Sequence, residues 1–126
     1  MRKFVSATIV SLALAASAAF ASAQSEVVIA ATHAGFAAKG GDLAAVHMHM
    51  HHALNCLVGP GGKGFDTHAL NPCAHAGNGA IPDEKSAATK KSLEAVVGEL
   101  DAGIAETDYA KAKAIAAKAE AMLKKD

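Results

Sequence analysis

All three prolines (Pro60, Pro72, Pro82) and six of the eleven glycines fall between residues 58 and 83. Proline lacks the amide hydrogen that helices and inner strands need, and glycine is costly to order, so regular structure is not expected in this stretch. The chain on either side is rich in alanine and leucine at helical spacing. This division predicts an all-α fold with helical hairpins over 26–57 and 84–125, joined by an irregular loop over 58–83. A connection this long inside a small domain is uncommon unless it is functional or tied down. Cys56 and Cys73 can supply the tie.

Those cysteines are read together with the N-terminus. Arg2 and Lys3 precede an apolar run from Phe4 to Phe20, and Ala21-Ser22-Ala23 has the small-x-small form of a cleavage site. Residues 1–23 are therefore expected to be a signal peptide, with export to the periplasm and no membrane span after cleavage. In an oxidising compartment the two cysteines are expected to form a disulfide. Residues 24–126 then form one helical domain. That part carries ten lysines against twelve acidic residues, and no basic stripe that would neutralise phosphates, so nucleic acid is not an expected partner. With no tryptophan and one tyrosine, the core must come from small aliphatic side chains, which suit closely packed helices.

Within the first hairpin, Gly40-Gly41 ends one helix and Asp42 caps the next. At about 100° per residue, Leu43, Val46, Met50, Leu54 and Leu57 form one apolar stripe. The second hairpin is expected to start near Asp83. Leu93, Val96, Val97, Leu100 and Ile104 have core spacing there, and Thr107 or Asp108 caps a last helix with Tyr109, Ala112, Ala116, Ala119 and Leu123 on one face. His33-Ala34-Gly35-Phe36-Ala37 parallels Asp101-Ala102-Gly103-Ile104-Ala105, so the hairpins read as two copies of one unit forming a four-helix bundle.

The second copy has no histidine, whereas Val46-His47-Met48-His49-Met50-His51-His52 holds four of the seven in the chain. Imidazole nitrogen suits copper, zinc and nickel, and thioether sulfur suits Cu(I). His47 and His51 are four apart and lie about 40° and 80° from Leu43, bordering the stripe. His33 borders the core of the preceding helix. The expected ligands are thus His33, His47 and His51, with Met50 or Met48 as a soft ligand. Met50 also fits the core, Met48 and His52 point outward, and His49 turns toward the side carrying Cys56. A rival zinc set would use His52, Cys56, Cys73 and His75. His68 and His75 are expected to be solvated.

Other chemistry is poorly supported. Gly61-Gly62-Lys63-Gly64 lacks the spacing of a phosphate loop and the strand before it. No Cys-x-x-Cys-His exists for covalent haem, and few aromatic side chains could line a non-covalent haem site.

The chain resembles the small metal-binding protein family, periplasmic helical-hairpin proteins rich in histidine and associated with copper and other divalent metals. The likeness rests on the signal peptide, His33-Ala34-(x)-Phe36-(x)₂-Lys39-Gly40-Gly41-Asp42, His47 and the second hairpin. The histidine-free second hairpin and the cysteine-bearing insert depart from that pattern. The resemblance implies periplasmic metal binding, carried by His33, His47 and then His51. The expected function is non-enzymatic copper buffering or carriage, with zinc or nickel as alternatives. Two other readings stand beside it: a protein-interaction module presenting loop 57–83 to another periplasmic protein, and a non-covalent haem carrier.

Overall fold

The structure is a computed structural model that describes residues 11–125, with side chains from residue 22 onward. The described residues are helical, with no strand among them. The elements are α1 (Ser11–Ala38), α2 (Leu43–Val58), α3 (Ala80–Asp83), α4 (Ala87–Ala105) and α5 (Tyr109–Leu123). The first ten residues of the expected signal peptide lie outside the described residues. Its remainder belongs to α1, which starts well before the expected residue 26 and runs unbroken through Ala21–Ala23. No helix among the described residues is long and apolar enough to cross a membrane.

Helix starts follow local chemistry. Asp42 accepts a hydrogen bond from the Ala45 amide at 2.7 Å, and Asp108 accepts one from Lys111 at 2.9 Å. Each satisfies an amide left unpaired by the first turn. The start expected near Asp83 is corrected to Ala87, where Ser86 caps the Thr89 amide. The expectation of no regular structure over 58–83 is also corrected, because Ala80–Asp83 forms one helical turn. Pro82 is tolerated there because first-turn amides have no intrahelical partner to lose.

The four long helices touch in a ring: α1 against α2, α2 against α4, α4 against α5, and α5 against α1. Ala30, Ala34 and Ala37 of α1, with Ala112, Ala116 and Ala119 of α5, are fully buried, as small side chains allow helices to approach closely. Leu93, Val96 and Leu100 of α4 meet this layer together with Val46, Met50 and Leu57 of α2. The paired glycines of the two hairpins each lie where another helix comes close. A Cβ on Gly35 would lie 2.9 Å from Glu120 Oε1 of α5, and one on Gly103 would lie 2.5 Å from Met50 Cε of α2.

The segment between α2 and α3 folds back over the C-terminal end of α2. Cys56 and Cys73 form the expected disulfide. Asn55, fully buried, accepts from the Asp66 amide at 2.8 Å and donates to the carbonyls of Asp66 (3.0 Å) and Leu70 (3.2 Å). The ends of the loop meet at Gly59 (φ +69°) and Gly79 (φ +117°), both in backbone regions that favour glycine. A side chain on Gly79 would put its Cβ 2.7 Å from the Gly59 nitrogen. The long connection is therefore held at both ends and in its middle.

Candidate metal centre

α1 and α2 run antiparallel around Gly40-Gly41, so residues equidistant from the turn face each other. His33 stands eight residues before Gly41 and His49 eight after it. Their Nδ1 atoms are 3.3 Å apart. His52, three residues beyond His49, lies on the same flank of α2 because i and i+3 share a helix face. The ring centroids are 5.2 Å apart for His33–His52, 5.4 Å for His49–His52 and 5.5 Å for His33–His49, an almost equilateral triangle. One ring nitrogen from each lies within 4.8 Å of the others.

This distance scale suits one ion. Two nitrogens each about 2.05 Å from a tetrahedral metal are about 3.3 Å apart. Burial, followed by the neighbouring His52 and His49 rings, holds the His33 pKa below the ordinary imidazole value. His52 is lowered by burial first, then by His49 and His51. Both environments favour the neutral ring, whose lone pair a metal requires. Buried His52 Nδ1 also has no hydrogen-bond partner in the protein. Phe36, half exposed, forms an apolar edge to the cluster, with its centroid 5.5 Å from His33 and 5.4 Å from His49.

The other expected ligands lie elsewhere. His47 Nε2–H donates to the Glu106 carbonyl at 2.9 Å, tying the start of α2 to the α4–α5 turn. His51 Nδ1 lies 3.2 Å from Asp66 Oδ2, on the side where the loop crosses α2. Neither joins His33: the structure brings His33 together with His49 and His52, and not with His47 and His51 as expected. The expectation that His52 points outward is corrected too, since it is 8% exposed. Met50 is fully buried against Gly103 of α4, away from the α1 flank, whereas Met48 is 47% exposed. The rival zinc set is overturned because the disulfide uses both Cys56 and Cys73 sulfurs, and His75 is exposed. His68 is exposed as well.

One choice of phase accounts for the reassignment. Centring the stripe on Leu43 makes His47 and His51 its nearest histidines. Leu43 is only partly buried, while Val46, Met50, Ala53 and Leu57 are fully buried, which rotates the centre by about 40°. His47 and His49 then flank the stripe about equally, on opposite sides. The side facing α1 is the one that supplies a third imidazole.

The described residues thus define an all-helical protein with one three-histidine cluster between its first two long helices. No protein-family model, curated protein or solved structure matches the chain.

Proposed function

We propose that this chain is a non-enzymatic metal-binding protein that buffers or carries a transition-metal ion in the periplasm, with copper favoured over zinc and nickel. The observation that carries this reading is the convergence of His33, His49 and His52 within 4.8 Å on two helices that are otherwise closely packed. Core formation does not call for these rings, since the equivalent α4–α5 hairpin packs without any histidine. Three imidazoles leave a fourth position for water or for a ligand from a delivering or receiving protein. That open position suits carriage better than permanent structural binding. We read the ring of long helices as a four-helix bundle and residues 1–23 as the export signal. On this reading the likeness to the small metal-binding proteins is one of class, with its own ligand set.

The test is titration of the purified protein with Cu(II), Cu(I), Zn(II) and Ni(II), alongside two variants. His33→Ala/His49→Ala/His52→Ala is expected to lose the site, and His47→Ala/His51→Ala to keep it. Failure of every metal to bind tighter than about 10 µM would end this reading. Equal loss in the two variants would assign the site to the wrong histidines.

A further inference from the structure

Glu26 lies seven residues before His33 on α1 and is 0% exposed. Its Oε1 accepts a hydrogen bond from the Gly79 amide at 2.7 Å, at the closing end of the loop. Its Oε2 is buried without a hydrogen-bond partner. Asp83, at the end of α3, is the neighbouring carboxyl. It accepts from the Asn78 amide at 2.9 Å and from Asn78 Nδ2 at 3.3 Å.

The two carboxyls crowd one point. A Cβ on Gly77 would lie 2.3 Å from Asp83 Oδ2 and 2.8 Å from Glu26 Oε1, so only glycine fits between them. Two carboxylates this close, one of them buried, cannot both be charged without strong repulsion. Three of the four oxygens already accept hydrogen bonds. The fourth, Glu26 Oε2, is the atom that needs a proton.

We propose that Glu26 and Asp83 share one proton, and that this proton latches the 59–79 loop against α1. Carried on Glu26, it makes that carboxyl a donor toward the Asp83 carboxylate, the side chain it contacts. Glu26 Oε1 remains free to hold the Gly79 amide. Ionisation removes the donor and leaves two negative charges facing each other where α1 meets α3.

The surroundings do not offset that charge. Asp83 is the charged group acting on Glu26, and the Gly79 amide is the opposing influence. Nearby Glu84 is occupied with the Lys85 and Ser86 amides, and Cys73 is held in its disulfide. Burial first, then Asp83, raises Glu26 to about 7 despite the Gly79 hydrogen bond. A carboxyl raised in the folded state stabilises fully below its unfolded value. That stability is lost as pH climbs from the ordinary glutamate range to about 7.

The test is a carboxyl ¹³C NMR titration of the full chain, combined with hydrogen exchange at the Gly79 amide. Glu26 is expected to titrate near pH 7, and Gly79 exchange, corrected for intrinsic base catalysis, to quicken about tenfold between pH 5.5 and 8. Glu26→Gln keeps an acceptor for Gly79 and a donor for Asp83, so its Gly79 exchange should show no such pH step. A Glu26 that titrates in the ordinary carboxylate range overturns the proposal, and that titration decides even where the variant fails to fold. A pH step that persists in the variant also overturns it. So does a fall in the Glu26 titration on adding 1 mM CaCl₂, which would show that the pair holds a cation instead of a proton.

Discussion

His33 and His49 face each other across the α1–α2 hairpin at equal distance from Gly41, with 3.3 Å between their Nδ1 atoms. At that separation the rings either share a hydrogen or share a metal. The metal needs the ring lone pairs, so the pH dependence of its affinity should follow from protons competing for those nitrogens. Affinity is expected to be nearly constant from pH 8 to about 6.5 and to fall below that, steepening as the lowered His33 and His52 rings take up protons. Competition titrations at half-unit pH intervals measure this. A slope equivalent to one proton would show that a single histidine holds the ion.

The metal-free protein should show a related effect. Burial and neighbouring rings lower His33 and His52, so the folded chain resists protonation that the unfolded chain accepts. Both rings are neutral in both states above the ordinary histidine value. Stability contributed by this difference is therefore complete above about pH 6.5 and declines as pH falls toward the lowered folded values. Urea midpoints of the parent and of His33→Ala/His52→Ala should converge as pH falls from 7 to 5. Parallel curves over that range would mean that the cluster is open to solvent.

Much of this arrangement is legible in the chain. Asp42 and Asp108 announce their helix starts because capping is a local interaction. The prolines and glycines locate the loop, and the disulfide is expected from two cysteines in a chain that reads as exported. The three-histidine cluster is partly legible through symmetry about Gly41, a signal in the hairpin turn and not in the density of histidines. Phase measured on α2 alone could not reveal it, because an apolar stripe has two flanks and only the partner helix distinguishes them. His52 is further hidden from such a reading. Residues 52–59 are all buried, at the end of α2 where α1, the core and a loop held by Asn55 meet, contacts far apart in sequence. The pairing of Glu26 with Asp83 has no local signature at all.

The matched glycines of the two hairpins should respond differently to alanine. At Gly103 the new Cβ would meet Met50 Cε at 2.5 Å and Ile115 Cγ2 at 3.0 Å inside a filled core. Gly103→Ala is expected to cost about 1–3 kcal/mol despite better helix propensity. At Gly35 the nearest atoms are the carboxylate end of Glu120, a flexible and partly exposed side chain. Gly35→Ala is expected to be neutral or to stabilise by up to about 1 kcal/mol. Denaturant melts of the two variants decide this, and equal losses would show that the α1–α5 contact is as unyielding as the core.

Two tethers hold the same loop, so their effects should overlap. The disulfide spans a sequence separation of 17, for which loop-closure entropy suggests about 3 kcal/mol. Asn55→Ala would strand the partly buried Asp66 amide and its neighbouring carbonyls, at a cost of about 1–3 kcal/mol. Cys56→Ala/Cys73→Ala combined with Asn55→Ala should cost less than the two separate losses together, because one tether already gone leaves less order for the other to protect. Strict additivity in a double-mutant cycle would show that the two tethers hold independent parts of the loop.

Processing of the proposed signal peptide should reset the Glu26 latch. In the full chain Glu26 lies within α1, where neighbouring amides are committed to the helix. A chain beginning at Gln24 would place Glu26 in the first turn, beside unpaired amides and a new α-ammonium group. Both favour the carboxylate. Loss of buried Ala23 would also admit water to the site. All three changes lower the Glu26 pKa from about 7, so the shortened chain should hold its loop less firmly at neutral pH than the full chain does. Carboxyl NMR titration of the two forms side by side measures the shift. An unchanged Glu26 titration would show that Asp83 and burial govern the carboxyl regardless of where the helix begins.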